Sequence, residues 1–432
     1  MTRLPRDTRV LATLLDNGPD FIALDEAAAE AGIVHVPLPL FFTPAQRLHA
    51  LQAAGVDTLV TAAGVERLPF APVPLPAGTS KITFTSGTTG TPKGVCLGAD
   101  AMRAVADGLA TATAGLGIAR HLNVLPFAVL LENIAGVLAP RRQGVEVVSP
   151  SLADVGLTGS SAFDPARLHA AVLQHRADSL ILLPQMLRAW VAYLGATGQR
   201  APAGLKLVAV GGAPVGAALL QAAHAKGLPA MEGYGLSEAA SVQTLNLPGD
   251  CRPGSVGRPL PHAQVRVAAD GELWVAGSLF KGYLGGAAAG MDGAPSSPWW
   301  PTGDLGRIDA DGHVHIEGRK THLIITAFGR NVSPEWVETR LRSHPAVAQA
   351  VVFGEGQVML SAVLWPTVAG GDLAAAVESA NADLPDYARI GNWTVARAAF
   401  EPATGMATAN GRPQRAAIHA LHAADLQTNR QP

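Results

Sequence analysis

The densest chemistry in this chain lies between residues 83 and 94, Thr-Phe-Thr-Ser-Gly-Thr-Thr-Gly-Thr-Pro-Lys-Gly. Hydroxyls and glycines bury almost no apolar surface, so such a segment builds no core. It can instead wrap an oligophosphate: glycines let backbone N–H groups approach closely, hydroxyls donate, and Lys93 supplies positive charge. Thr85, Ser86, Gly87, Thr88, Thr89, Gly90 and Lys93 are the candidate phosphate contacts. The spacing is not that of a Walker A loop, because six residues separate Gly87 from Gly94 and Lys93 is followed by glycine rather than Ser or Thr. A solvent-exposed linker is the plain alternative for this composition.

Two further clusters follow. Gly233-Tyr234-Gly235-Leu236-Ser237-Glu238 comes after an apolar strand. Gly-aromatic-Gly brings backbone close to a flat ligand while the ring stacks on it, and the carboxylate of Glu238 can hold Mg²⁺ against phosphate oxygens. Taken alone, the string is equally an ordinary strand-end turn. Thr302-Gly303-Asp304 precedes Gly318-Arg319-Lys320 by a glycine-turn strand pair around Asp309 to His313. A carboxylate suits both hydroxyls of a ribose and an arginine adds a second donor set, although an Asp after Gly is usually a turn residue.

The order of these motifs resembles that of the adenylate-forming enzymes, the superfamily of acyl-CoA synthetases, peptide-synthetase adenylation domains and firefly luciferases. The resemblance covers roughly residues 8 to 415. It implies that Tyr234, with Gly235 and Ser237, meets adenine, and that Gly211-Gly212-Ala213-Pro214 forms the wall beside it. It likewise implies that Glu238 binds Mg²⁺ and that Asp304 and Arg319 contact the ribose. Thr326 to Glu335 resembles the glycine loop of the family's small C-terminal domain, which lines a thiol tunnel in relatives, and its wording leans toward the acyl-CoA synthetase branch. Thr408 to Arg415 resembles the closing motif, where a lysine normally follows Asn-Gly. Here that position is Arg412, which keeps the charge in a longer, planar, forked group. Lys93, Glu238 and Arg412 are thus the expected catalytic residues, and Thr321 stands at the hinge position. The phosphate loop comes early for this family, so the N-terminal lobe is expected to be abbreviated, leaving an acyl tunnel or a partner face more open.

The implied reaction is ATP-dependent activation of an acid to an acyl-adenylate, followed by transfer to the thiol of CoA or of the phosphopantetheine of an acyl carrier protein. The alternatives are an aryl-acid ligase, or a nucleotide- or acyl-adenylate-binding protein with reduced or lost adenylation. Phe127-Ala128 sits where amino-acid-activating relatives have Phe-Asp. Alanine cannot partner a desolvated ammonium, so the acid expected is one with an uncharged tail, a medium- or long-chain fatty acid first. Glu132 is expected on a helix face or at a tunnel mouth.

Composition agrees with an enzyme. Of 432 residues, 48% are hydrophobic and only 15% charged, and the net charge of −2 makes no case for nucleic acid or an anionic membrane. Two cysteines without a CxxC spacing exclude a disulfide framework. No apolar run approaches a membrane span of about 18 residues, and the N-terminus lacks a signal-peptide core, so a cytoplasmic protein is expected.

Strand–helix alternation over the first sixty residues predicts parallel pairing. Strands are expected at Val10 to Leu15, Ile33 to Leu38 and Val56 to Thr61. Helices are expected after Asn17-Gly18-Pro19-Asp20, and from a Thr43 cap with Pro44 first and Gly55 just past the end. Further strands are expected near residues 121–125, 145–148, 179–183, 205–210 and 228–232. The fold class is α/β: a large N-terminal domain (1–318) of mainly parallel sheets flanked by helices with a β-rich lobe, and a small mobile α/β C-terminal domain (319–432). Gly285 to Pro301 reads as a surface loop, and His419 and His422 as a solvated helix end.

Overall fold

The alternation at the start of the chain produces the pairing it implies. In the computed structural model, which describes residues 4–85, 92–159, 162–285, 297–327, 330–408 and 411–428, Val10–Leu14 lies parallel to both Val34–Pro37 and Thr58–Thr61. Helix Pro44–Ala53 between them opens on a reciprocal cap, in which the Thr43 hydroxyl accepts from Gln46 N–H and the Gln46 side chain accepts from Thr43 N–H. It closes at Gly55, where φ is +59° and a Cβ would stand 2.9 Å from the Ala71 carbonyl oxygen. Only glycine fits there without strain.

The described residues form two seven-stranded sheets, each parallel at its centre and antiparallel at one or both edges. The first carries Lys81–Thr85, Lys93–Leu97 and Gly282–Tyr283 as an antiparallel flank. The second runs parallel from Glu146–Val148 through Arg120–Leu122, Ser179–Leu182 and Leu207–Val210 to the first half of Ala230–Leu236. That last strand then bends at a bulge between Tyr234 and Gly235 and pairs antiparallel with Ser241–Leu245. The Gly-Tyr-Gly string is therefore not a strand-end turn but the interior of a strand that changes partners.

Helices Pro165–His175, Pro184–Ala196 and Ala217–Ala225 cover one face of the second sheet, with Leu168, Leu187, Trp190 and Leu220 in its core. Each fully buried Leu contributes roughly 1.5–3 kcal/mol. Helix Ala99–Thr113 and the π-helical segment Glu132–Leu138 pack between the sheets. Val105 and Ile134 join Val95 and Leu97 of the first sheet to Val242 and Leu245 of the second.

The β-rich lobe is an antiparallel sheet of Gln264–Val267, Glu272–Ala276, Trp300–Ile308 and Val314–Arg319. Residues 286–296 of the expected loop lie outside the described residues, but Trp300 and Pro301 belong to a strand. Arg266 stacks over Trp299 at 4.3 Å and Trp274 at 5.1 Å, which holds the strand start on the lobe. In the smaller C-terminal domain, Val347–Phe353, Leu360–Pro366 and Ile390–Val395 form a sheet, covered by helices Pro334–Ser343 and Leu373–Asp383 through Val337, Leu341, Ala376 and Val377. His422 is not solvated: it is fully buried, its Nε2 accepts from Arg397 N–H and its Nδ1 donates to Ile418 O. Its helix packs inward through Ile418, so an imidazole at this position must meet backbone rather than water.

A buried polar cluster ties the first sheet to the layer behind it. Asp25, on helix Pro19–Glu30, binds His35 Nδ1 at 2.6 Å and Lys81 Nζ at 2.8 Å. Asn133 of the π-helical segment donates to the same carboxylate, and the far nitrogen of His35 meets Thr13 Oγ1. Burial pushes the Asp25 carboxyl up, but Lys81 and His35 overturn that and hold it well below the ordinary range. Removing one partner of a buried pair strands the other. Asp25→Ala is therefore expected to cost about 3–5 kcal/mol in urea unfolding, with a loss under 1 kcal/mol contradicting this account.

Candidate active site

Strand register places Thr85 and Lys93, Tyr234, and Asp304 with Arg319. Thr85 and Lys93 stand opposite one another where the Lys81–Thr85 and Lys93–Leu97 strands begin to pair, so the phosphate loop is the connector of an antiparallel hairpin. Thr85 is half-buried and Lys93 exposed. Ser86, Gly87, Thr88, Thr89 and Gly90 lie outside the described residues.

Beside this hairpin runs Gly282–Tyr283, with Tyr283 opposite Val95. The Tyr283 hydroxyl donates to Glu238 Oε1 at 2.8 Å, and Phe280 N–H donates to the Glu238 carbonyl oxygen. The carboxylate expected to hold Mg²⁺ is thereby anchored to the strand next to Lys93. Glu238 Oε2 has no hydrogen-bond partner among the described residues, which leaves one oxygen for a cation. No group of three or more His, Cys, Asp or Glu among the described residues could hold a metal by itself. This donor set fits a Mg²⁺ ion completed by phosphate oxygens and water.

Tyr234 and Asp304 come from different sheets and meet directly: the phenol donates to Asp304 Oδ2 at 2.6 Å. Arg319 sits opposite Asp304 in the antiparallel register, and its Nε lies 2.7 Å from Oδ1. Asp304 is buried. Burial pushes its carboxyl up, and Arg319 and the Tyr234 hydroxyl pull back without fully offsetting this. Burial beside Asp304 also raises the Tyr234 phenol far above its ordinary value. Thr302 accepts from Asp304 N–H, and Gly303 N–H donates to Glu272, whose other oxygen binds Lys320 at 2.8 Å.

Gly212, Ala213 and Pro214 are exposed at the end of Leu207–Val210. They are held by Glu232, which accepts from Val215 N–H and whose pKa burial pushes up to about 7. Gly235 and Ser237 follow the tyrosine in the chain. A Cβ on Gly235 would overlap the Ser241 carbonyl, and the adjoining turn takes positive φ at Ala240 (+53°) and Ser241 (+100°).

Arg412 completes the set. Its loop is closed by Thr408 N–H to Arg412 O at 2.8 Å and by Gly411 at φ +74°, which lies against Gln185 of the large domain. The residue as a whole keeps solvent access. Packing around its guanidinium, then repulsion from Arg319, pull its pKa down, while Asp304 and Glu238 attract it. Tyr234, Asp304 and Arg319 thus meet directly, Glu238 is tied to the strand beside Lys93, and the charge of Arg412 is attracted by both carboxylates. Arg415, three residues on, serves structure: it forks onto Glu338 at 2.6 and 2.9 Å and reaches Glu335.

A family description, AMP-binding enzyme, matches residues 71–284, and a second, AMP-binding enzyme C-terminal domain, matches residues 321–429. The chain belongs to the AMP-binding, adenylate-forming family. It is 43% identical over 155 residues to a long-chain-fatty-acid–CoA ligase, FadD15, of Mycobacterium bovis, covering 36% of this chain and 26% of that protein. It is 31% identical over 288 residues to a 2-succinylbenzoate–CoA ligase of Bacillus licheniformis, covering 63% and 56%. The chain thus spans less than two thirds of the length of these relatives. In fold it matches the O-succinylbenzoate coenzyme A synthetase of Bacillus subtilis solved with ATP and magnesium, at a TM-score of 0.76 and 23% identity over 95% of this chain and 89% of the other.

Three contributors escaped the sequence reading. Tyr283, Glu232 and Glu272 act through partners 45, 17 and 31 residues away, and no local pattern marks such pairings. Glu132 was placed wrongly. It is fully buried, not at a helix face or tunnel mouth, and its Oε1 accepts from Asn123 Nδ2 and Val124 N–H. Its Oε2 has no partner among the described residues, and burial raises its pKa to about 8.

Between its ordinary value and about 8, folded Glu132 keeps a proton that the unfolded chain has released, so stability falls as pH rises through that window. Glu132→Gln is expected to raise the melting temperature at pH 8.5 more than at pH 5.5. Equal shifts at both pH values would contradict the buried, protonated assignment.

Proposed function

We propose that the chain activates a carboxylic acid with ATP to an acyl-adenylate and then passes the acyl group to a thiol, of CoA in the first instance and of carrier-protein phosphopantetheine in the second. The observation that carries this reading is the buried Asp304 carboxylate, held by Tyr234 at 2.6 Å and by Arg319 at 2.7 Å, with Glu238 anchored by Tyr283 beside the Lys93 strand. The charge of Arg412 is attracted by Asp304 and Glu238 from the C-terminal segment, which supports a role for it in the acid-activating half-reaction.

In this reading Tyr234 and the Gly212–Pro214 wall hold the adenine. Asp304 and Arg319 hold the ribose, and Thr85, Lys93 and the loop between them hold the β- and γ-phosphates. A carboxylate oxygen attacks the α-phosphorus, the bond to the bridging oxygen breaks, and pyrophosphate leaves. Arg412 forks between the incoming carboxylate and the α-phosphate, neutralising charge that grows along the reaction path. Bound Mg²⁺, held by Glu238, would add neutralising charge on the departing oxygens. The small domain, 319–432, then turns about Thr321 and brings the Thr326–Glu335 loop round for the thiol. The thiolate attacks the acyl carbon and AMP leaves. The protein's part is positioning and electrostatics, with no covalent intermediate on the chain.

The acid is one with an uncharged tail. Phe127 packs on Phe21 at 5.3 Å, and Ala128 offers no partner for an ammonium. The relatives named as fatty-acid and succinylbenzoate ligases support a fatty or aryl acid, with a fatty acid first.

Acid-dependent exchange of labelled pyrophosphate into ATP tests the reading, using short to long fatty acids and aryl acids. Arg412→Ala is expected to lower exchange tenfold or more, and Arg412→Lys to restore most of it. Exchange unchanged in the alanine variant would remove Arg412 from the reaction. Absence of exchange with every acid would remove the ligase reading itself.

A further inference from the structure

The second sheet and the layer between the sheets do not close on one another completely. A cavity of about 50 Å³ lies between them, with Leu109 and Ala139 on the helical side and Ile181, Leu207 and Ala209 on the strand side. Its near end is next to the candidate active site. Ala209 stands two residues before Gly211, and Leu245, also on the lining, pairs with Gly233. The floor is one rung of the sheet, His121, Ser179 and Leu207, which face one another in register across three parallel strands. Four residue steps along the strand lead from that rung to Gly211, a depth of about 13 Å at about 3.3 Å per residue.

This floor is polar in a way that the walls are not. His121 is buried, and its Nδ1 meets Ser179 Oγ at 2.8 Å. Its Nε2 is sealed from bulk water and has no partner among the described residues. Of the other polar lining groups, Gln143 Nε2 donates to Thr113 Oγ1 and to Ala110 O, and the Thr113 hydroxyl donates to Leu109 O. No Asp, Glu, Lys or Arg lines the cavity, so a charged ligand group would go uncompensated there. Burial holds the imidazole pKa at about 4, so the ring is neutral at pH 7 and offers one unused donor or acceptor.

Resting on the ligase reading above, we propose that the acyl tail enters this cavity and that its far end carries an uncharged hydrogen-bonding group, a hydroxyl or ketone, which pairs with His121 Nε2. His121 is then a specificity residue. An apolar pocket discriminates weakly between tails, whereas a buried unpaired polar atom penalises every tail that leaves it so. The preferred acid is an oxygenated chain rather than a plain alkyl one.

The test separates this inference from the reading beneath it. Non-hydrolysable acyl-sulfamoyl adenosines are made in matched pairs over a range of chain lengths, one ending in methyl and the other in hydroxyl or ketone. Dissociation constants are measured by calorimetry on the full chain. At the best length the oxygenated member is expected to bind at least tenfold tighter. His121→Leu should abolish or reverse that ratio without weakening the methyl-ended member, and His121→Gln, which keeps a donor and an acceptor, should retain part of it. Equal binding of both members at every length overturns the proposal even if exchange with plain fatty acids upholds the ligase. A ratio untouched by His121→Leu overturns the role of His121. Failure of every analogue to bind overturns both.

Discussion

A carboxylate taken out of water must find compensation, and at Asp304 that requirement fixes the relation between two parts of the molecule. One oxygen is met by Tyr234, from the strand that changes partners in the second sheet. The other is met by Arg319, at the last position of the β-rich lobe. Arg412 approaches the same charge from the C-terminal segment. Neither Tyr234 nor Arg319 could be displaced without leaving a buried charge short of a partner, so the lobe and the sheet are held in mutual register by a single side chain. Glu238 is the lesser copy of the same arrangement, with Tyr283 as its anchor.

Much of this was legible in the residues. Thr43, Pro44 and Gly55 announced a helix and its limits because caps and left-handed closures are local matters. The parallel strands followed from alternation, and the strand pair between the Asp304 and Arg319 motifs from the glycine turn they flank, whereas the ion pair between the two residues is seen only in the structure. Where reading failed, the cause was long-range. Gly233-Tyr234-Gly235 passes for a turn unless one knows that Ser241–Leu245 supplies a second partner on the far side of the bulge. His422 looks solvated unless its helix is seen to pack through Ile418 against Val351 and Val363. Glu132 has the sequence of an exposed helical residue and becomes interior only because a π-helical segment lies between two sheets.

That segment organises two opposite solutions to buried polarity. Asn133 joins a cluster in which Asp25, His35 and Lys81 complete one another's bonding. Its neighbour Glu132 and the nearby His121 each keep one atom without a partner among the described residues. The first arrangement is self-contained and serves as a brace. The second is incomplete, and π-helical turns with such residues are frequent at sites that receive something from outside.

On the adenine assignment proposed above, the close approach of Gly235 to Ser241 has a consequence for anyone wishing to alter base preference. Any side chain there would pry apart the ribbon that carries the aromatic ring, so grip and scaffold cannot be tuned separately on that wall. Latitude lies opposite, at Ala213 and Pro214, which are exposed at the tip of a loop and bear no strand pairing. A library aimed at accepting a different purine should be concentrated on that rim and leave the ribbon alone.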